Sequence, residues 1–341
     1  MDGPQKILAL LPNWLGDAAM STPALRALHN RFPQAQITVA GHPATLQLLA
    51  GLPFHTNSII LPPRPGIGAT LRDACRLRPH ARDLAVVFPH SFRSALLARL
   101  AGSRRRIGYA RDRRSFLLTD PVPPHRENGK IIPVYMAREY VDLLAPLGCT
   151  DDALGLQLAT DPAAVNALKP RFEPDRLHVG IAPGAAFGPS KLWPADRFAQ
   201  IADALAERIN AQCALLTGPG EQTTRDAVLR AAKTSFVPLD GAGNGIETLK
   251  AAVSLLDLLI CNDSGARHVA VAFHVPTICI MGPTSPAYSN GPYERGQVIR
   301  IDVDCGPCQK PVCTTDHRCM TQITTQSVIQ PALEILAIPR Q

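Results

Sequence analysis

Short apolar runs alternate with segments of helical periodicity along almost the whole chain, and this alternation restricts the possible folds more than any other feature. Strands are predicted at 6–11, 36–41, 58–61, 83–88, 177–182, 214–217, 236–238, 258–261 and 277–281. Helices are predicted at 22–32, 44–50, 91–100, 135–147, 197–208, 225–232, 246–254 and 266–273. Strands and helices that alternate in this way are typical of parallel sheets covered by helices on both faces. The sequence therefore predicts an α/β fold.

The length of the chain predicts two domains. Its 341 residues are about twice the usual size of one domain. The stretch 148–174 contains several Asp and Pro residues and little periodicity, so we expect a domain of residues 1–160 and another of residues 161–341. Each is expected to be a Rossmann-like αβα domain, and ligands of such sheets bind at the carboxyl ends of the strands, here in a central cleft. The last helix belongs to the second domain or packs back on the first.

Basic residues are concentrated in one segment. Between Arg64 and Arg138 there are 16 Lys and Arg against 5 Asp and Glu, a surplus of 11, whereas the whole chain has a net charge of +7. Clustered positive charge attracts phosphorylated lipids, membrane surfaces or nucleic acids, although a solvated surface would give the same count. Only 5% of the residues are aromatic and no nucleic-acid-binding motif is recognisable, so nucleic acid is the least favoured partner.

We expect a cytoplasmic protein with reduced thiols. No segment has the 18 consecutive apolar residues typical of a membrane span, and Pro12 stops the first apolar run. Nine cysteines, an odd number, fit free thiols better than a disulfide framework. Cys305, Cys308, Cys313 and Cys319 lie close together in the sequence, which leaves three interpretations open: a zinc site, structural thiols or a redox pair.

Two loops that follow predicted strands contain candidate site residues. Asp17, after the first strand, presents a carboxylate that could accept a proton from a substrate hydroxyl, or it caps the following helix. In the second half, segment 183–194 contains Gly184 and Lys191, and exposed backbone N–H groups with a lysine charge suit a phosphate or pyrophosphate.

Two further candidates follow later strands. Asp263, Ser264 and Gly265 open a helix whose free N–H groups and dipole favour an anion, and His268 lies one turn further on. A lone helix histidine is more often structural. Glu221 follows another strand, where a carboxylate can accept hydrogen bonds from ribose hydroxyls, although an exposed loop residue is the commoner case.

Together, segments 14–17, 183–194 and 262–268 resemble the ADP-heptose:lipopolysaccharide heptosyltransferases of glycosyltransferase family 9. The resemblance implies a GT-B fold and an inverting reaction without metal or other cofactor, with the acceptor on the first domain and ADP-heptose on the second. It also implies residue roles. Asp17 would be the general base, Lys191 would neutralise the pyrophosphate, Glu221 would contact the ribose, and Gly184, Asp263, Ser264, Gly265 and His268 would complete the donor pocket.

The resemblance gives the basic segment a target, the Kdo–lipid A inner core at the cytoplasmic face of the inner membrane. The arginines expected to bind this acceptor are Arg93, Arg104, Arg105, Arg106, Arg111, Arg113 and Arg114. Segments 14–17, 183–194 and 90–96 resemble in particular the enzymes that add the second heptose, so we expect that step. The alternatives are addition of the first or a later heptose and, remotely, nucleic-acid binding.

Overall fold

The computed structural model describes residues 3–62, 66–240 and 245–337, and Arg64, the first residue of the basic segment, lies outside these ranges. The chain divides into two compact units, Met1–Ala159 (unit 1) and Thr160–Gln341 (unit 2). Each unit contains its own parallel sheet, as the alternating pattern predicts. In the described ranges, no helix is both long and apolar enough to cross a membrane.

Unit 1 is built on a parallel sheet with the order β3-β2-β1-β4-β5-β6. The strands are β1 Lys6–Leu10, β2 Gln36–Gly41, β3 Asn57–Ile60, β4 Leu84–Val87, β5 Arg105–Tyr109 and β6 Asp120–Val122, with the short hairpin β7 Arg126–Glu127 and β8 Lys130–Ile131. The helices are α1 Leu15–Met20, α2 Thr22–Arg31, α3 Pro43–Leu49, α4 Ile67–Leu77, α5 Phe92–Leu100 and α6 Met136–Leu143. The strand order reverses between β1 and β4, and such a reversal opens a crevice at the carboxyl edge of a sheet.

Unit 2 has a parallel sheet with the order β10-β9-β11-β12-β13. Its strands are β9 His178–Ala182, β10 Gln212–Leu215, β11 Leu258–Asn262, β12 Thr277–Ile280 and β13 Gly296–Ile299. Its helices are α7 Pro162–Leu168, α8 Ala195–Ile209, α9 Gln222–Ala231, α10 Gly245–Ser254, α11 Gly265–Ala272, α12 Arg318–Thr321 and α13 Gln326–Leu336. The strand predicted at 236–238 is wrong, because only a single bridge joins Phe236 to Cys213.

Helix periodicity explains how unit 2 builds its core. Phe198, Ile201 and Leu205 recur on one face of α8, and all are fully buried. The helix ends where Asn210 adopts a left-handed conformation with φ of 51°. Val328 and Ile329 of α13 join the same apolar core. The buried face of α13 is therefore covered within unit 2.

Candidate functional site

The carboxyl edge of the unit 2 sheet brings two of the predicted motifs together at the point where the strand order reverses. Asn262, the last residue of β11, is buried and connects them. Its Nδ2 donates to the Pro183 carbonyl oxygen at 2.6 Å, and its Oδ1 accepts from the Trp193 N–H at 3.3 Å. The loop 183–194 is thereby fixed to the start of the segment that contains Asp263.

Lys191 lies at the end of a 3-10 turn, Pro189–Lys191, and its ammonium group points to Asp263. The Nζ atom is 2.5 Å from Asp263 Oδ2 and 3.1 Å from the Asp263 carbonyl oxygen. It also lies 5.0 Å from the centre of the Phe187 ring, within the range of a cation–π contact. The side chain is 13% exposed, so a strong positive charge is held at a defined place on the rim of the sheet.

Asp263 is the shared hydrogen-bond partner of the residues in this cluster. Besides Lys191, its carboxylate accepts from Thr284 Oγ1 at 2.7 Å and from Arg267 Nη1 at 3.3 Å. Burial alone raises the pKa of Asp263, but the charges of Lys191 and Arg267 outweigh it and lower this pKa to about 2. Asp263 is therefore ionised and buried, and its carboxylate is bound by Lys191, Arg267 and Thr284; its predicted place as a donor contact stays a prediction.

Arg267 is the residue of this site to which the sequence pattern assigned no role. It is fully buried on α11 and donates to both carboxylate oxygens of Glu294 at 2.7 Å. Thr277 Oγ1 also donates to Glu294 at 2.6 Å. Arg267 lies inside the motif 262–268, but Glu294 follows it by 27 residues in a segment with no recognisable pattern. Two cations and two carboxylates thus form one buried network.

Glu221 and Gly184 face each other at the same edge. The Glu221 carboxylate accepts from the Gly218 N–H at 2.6 Å. A Cβ atom on Gly184 would lie 2.0 Å from that carboxylate, so only glycine fits beside it. The loop after β9 and the loop after β10 therefore depend on each other, and together they form a place where a carboxylate could meet a ribose.

We predict that Gly184→Ala weakens ADP binding about tenfold, because the new methyl group displaces the Glu221 carboxylate. Gly218→Ala is the matched control, since a Cβ there lies 3.6 Å from Glu221 Oε2, an ordinary contact. Isothermal titration of both variants with ADP measures the effect. Equal affinities for the two variants would contradict the predicted role of this pair.

The turn that holds Lys191 is supported by the cysteine-containing segment. Ser190 Oγ donates to the Lys310 carbonyl oxygen at 2.6 Å, and His317 Nε2 lies 2.7 Å from the Ser190 carbonyl oxygen. A Cβ on Gly188 would lie 2.3 Å from the Pro311 carbonyl oxygen, and Gly188 has a φ of 150°. Segment 305–319 therefore sets the position of the turn.

The four cysteines of this segment line one cavity of about 130 Å³, beside Ser190 and His317. All four are free thiols. Burial and the neighbouring thiols raise the pKa of Cys319. Among the residues that the structure describes, no group of three His, Cys, Asp or Glu side chains is arranged to hold a metal ion.

Ser264 and Gly265 open α11 as predicted, with Ser264 at the N-cap in an extended conformation. His268, one turn later, is only 4% exposed. Burial, together with the charge of Arg267, lowers the pKa of His268 to about 4. His268 is therefore neutral at pH 7 and buried within unit 2, and its predicted place in the donor pocket stays a prediction.

The lowered pKa of His268 predicts a pH dependence of stability. The unfolded residue takes up a proton near pH 6.5 and the folded one only near pH 4, so acid favours the unfolded chain. The contribution of His268 to the free energy of unfolding is complete above pH 6.5. It is lost as the pH falls to about 4, which lowers the free energy of unfolding by about 3 kcal/mol. Urea unfolding of wild type and His268→Gln measures the difference, and parallel pH profiles would contradict it.

In unit 1, Asp17 lies just after β1, where the strand order reverses. It is half-buried in the first turn of α1, and the N-cap of that helix is Trp14, which corrects the alternative that Asp17 is the cap. Burial raises the pKa of Tyr140, and the negative charge of Asp17 raises it further. The charge of Asp17 therefore acts on the buried Tyr140 side chain.

Four of the seven arginines predicted to bind the acceptor lie away from the carboxyl edge or are buried, and their role in acceptor binding stays a prediction. Arg104, Arg105 and Arg106 lie at the amino end of β5, at the opposite edge of the sheet from Asp17. Arg105 pairs with Asp120 at 2.7 Å, and Arg106 donates to the Leu117 carbonyl oxygen at 2.8 Å.

Arg114 is the fourth. It is fully buried, and it donates to the carbonyl oxygens of Ser91 at 3.0 Å and Tyr109 at 3.1 Å. It therefore holds two loops together instead of facing solvent.

The other three arginines lie at or near the carboxyl edge. Arg113 is exposed, Arg93 is 3.6 Å from Asp73, and Arg111 Nη1 lies 3.3 Å from Glu139 Oε1. His90 Nε2 lies 3.2 Å from the same Glu139 oxygen. His90 and Glu139 therefore lie beside Arg111 at this edge, and charge counting alone could not identify them.

The comparisons with known proteins agree with this geometry. The family model described as glycosyltransferase family 9 (heptosyltransferase) matches residues 71–318. The chain belongs to glycosyltransferase family 9. It is 29% identical to lipopolysaccharide heptosyltransferase 2 of Escherichia coli K12, with 95% of this chain and 97% of that protein covered. It is also 29% identical to lipooligosaccharide heptosyltransferase 2 of Haemophilus influenzae, with 86% and 88% covered.

Solved structures of this family have the same fold. The crystal structure of a family 9 glycosyltransferase from Veillonella parvula superposes with a TM-score of 0.82 at 21% identity, covering 98% of both chains. ADP-heptose lps heptosyltransferase II of E. coli superposes with a TM-score of 0.78 at 26% identity, covering 97% of this chain and 98% of that one. The predicted α/β fold of the GT-B class is therefore confirmed, and this family 9 member is a glycosyltransferase.

Proposed function

We propose that this family 9 protein transfers L-glycero-D-manno-heptose from ADP-heptose to the inner core of lipopolysaccharide and inverts the anomeric centre. The observation that carries the proposal is the set of residues that each unit presents at the carboxyl edge of its own sheet. Unit 2 presents the ammonium group of Lys191 and the N-terminus of α11, two groups suited to a diphosphate. Unit 1 presents Asp17 at the corresponding edge of its own sheet.

In the proposed reaction, a hydroxyl oxygen of the acceptor attacks the anomeric carbon while the bond from that carbon to the ADP oxygen breaks. The hydroxyl proton passes to Asp17, and the negative charge that develops on ADP is stabilised by Lys191 and the N–H groups that open α11. Glu221 beside Gly184 would hold the ribose. Because these groups supply the positive charge, we propose that no metal is required.

The Asp263–Arg267–Glu294 network keeps Lys191 ready for this role. Without the Asp263 carboxylate, the Lys191 ammonium group would lose its partner at 2.5 Å, and the lysine side chain would populate several rotamers. With it, the charge is fixed before the donor arrives, which reduces the entropy lost on binding. Arg267 and Glu294 act as positioning residues, since both side chains are buried and pair with each other.

We further propose that the acceptor already contains one heptose and that the protein works at the cytoplasmic face of the inner membrane. The heptosyltransferase 2 proteins of E. coli and H. influenzae, similar over nearly the full length, support this choice. Transfer from ADP-heptose to Kdo₂-lipid A, measured with and without the first heptose, tests it. We expect product only on the heptosylated acceptor; equal transfer to both would assign the protein to another step of the family.

A further inference from the structure

Four of the nine cysteines lie together in unit 2, and the proposed reaction uses none of them. Cys305, Cys308, Cys313 and Cys319 are free thiols that line the cavity of about 130 Å³, and we call them the thiol cluster. Cys305 is exposed and Cys313 is half-buried, whereas Cys319 is buried. A small reagent in solution can therefore reach Cys305 and Cys313.

Thr315 connects these two accessible thiols. Its Oγ1 atom lies 3.5 Å from Cys313 Sγ and 3.9 Å from Cys305 Sγ, so one hydroxyl is within hydrogen-bond range of both sulfurs. The hydrogen bonds from Thr315 also lower the pKa of the Cys313 thiol. Because the thiolate is the form that attacks an oxidant, Cys313 is the thiol that reacts first, and Cys305 is its neighbour for the next step.

The chain between these two cysteines holds the turn that ends at Lys191. The Lys310 carbonyl oxygen accepts from Ser190 Oγ at 2.6 Å, and the Pro311 carbonyl oxygen accepts from the Ser190 N–H at 3.1 Å. Between β13 and α12, no described residue belongs to a helix or a strand. A new covalent bond can therefore rearrange this segment without breaking regular structure, and the turn loses its support.

We propose that a hydroperoxide converts Cys305 and Cys313 to a reversible disulfide, and that this bond displaces the turn that ends at Lys191. The Cys313 thiolate attacks the peroxide, the O–O bond breaks, and the sulfur becomes a sulfenic acid while one oxygen leaves as water or an alcohol. The Cys305 thiol then attacks that sulfur, the S–O bond breaks, and the second oxygen leaves as water. The two thiols lose two electrons and two protons, which the peroxide gains, and a dithiol reverses the change.

Peptide mass spectrometry of the full chain tests whether the bond forms. The purified protein is treated with hydrogen peroxide, and the remaining free thiols are alkylated before proteolysis. We expect a disulfide between Cys305 and Cys313, alkylated Cys308 and Cys319, and release of the pair by dithiothreitol. A disulfide between other cysteines, or alkylation of both Cys305 and Cys313 after the peroxide treatment, would overturn the proposal.

Isothermal titration with ADP tests the consequence, which rests on the proposed function of Lys191. The oxidised wild type should bind ADP about tenfold more weakly than the reduced one, because a charge-assisted contact is displaced. Cys305→Ser and Cys313→Ser should each bind like the reduced wild type and should not respond to peroxide. Cys75→Ser is the matched control, since it removes an exposed thiol of unit 1 and should leave the response intact.

Hydrogen exchange at the Ser190 amide, which donates to Pro311, measures the displacement without any ligand. Faster exchange after oxidation would support the proposal even if the reduced wild type failed to bind ADP, a result that would contradict the proposed function alone. Unchanged exchange in the oxidised protein would overturn the redox proposal. So would one zinc ion per chain, retained by the wild type and lost by Cys305→Ser, because it would assign the thiol cluster to a metal site.

Discussion

Replacing Asp17 by Asn is expected to lower kcat by about 10²-fold or more, the usual effect of losing a general base. The substitution keeps the size of the side chain in the first turn of α1 but removes the group that takes the proton. Affinity for ADP-heptose should stay within about twofold of the wild type, because the proposed donor-binding residues all lie in unit 2. Steady-state kinetics and isothermal titration separate these two effects.

Asp120→Asn is the control for this variant. Asp120 is also a half-buried carboxylate of unit 1, but it lies at the amino end of β6 and pairs with Arg105. Its removal should leave kcat unchanged, which would also confirm that the amino edge takes no part in the reaction. A wild-type kcat for Asp17→Asn would show that this carboxylate is only a helix residue.

Replacing Lys191 by Met is expected to weaken ADP binding by about 10- to 100-fold, the value of a charge-assisted hydrogen bond. The rate of transfer should fall as well, since the same charge stabilises the departing diphosphate. The variant also leaves the buried Asp263 with one positive partner fewer, so we expect the free energy of unfolding to fall by up to about 3 kcal/mol.

Two further variants separate binding from stability. Lys250 is a second buried lysine of unit 2, 3.2 Å from Glu247, and Lys250→Met should reduce stability without changing ADP affinity. Combining Lys191→Met with Asp263→Asn removes both charges of the pair and should recover stability but not binding. Recovery of ADP binding in the double variant would show that Lys191 serves only to neutralise Asp263.

The sequence predicted the central strands and the residues at their ends well, because both depend on local signals. Gly184 and Asp263 come within two residues of the end of a buried strand and Asp17 follows β1 in the first turn of α1, so all three lie at the carboxyl edge of a sheet. β5 was not predicted, since its first residues are Arg105 and Arg106 and the apolar part is too short to stand out.

The rest of the site depends on contacts between distant parts of the chain. Thr284 meets Asp263 across 21 residues, and Lys310 and His317 support Ser190 across 120 and 127 residues. Counting arginines located the basic segment but could not tell the two edges of the sheet apart. The two edges differ in which end of β5 an arginine lies at. Arg105 is at the amino end of β5, whereas Arg113 comes after its carboxyl end.

The most direct test of this account is the anomeric configuration of the product. Purified protein is incubated with ADP-heptose and heptosylated Kdo₂-lipid A in the presence of a chelator, and the new glycosidic bond is assigned by NMR. We expect one added heptose, with the configuration opposite to that of the donor and one ADP released per heptose transferred. Retention of the configuration, or release of free heptose without transfer, would contradict direct displacement by an acceptor that Asp17 deprotonates.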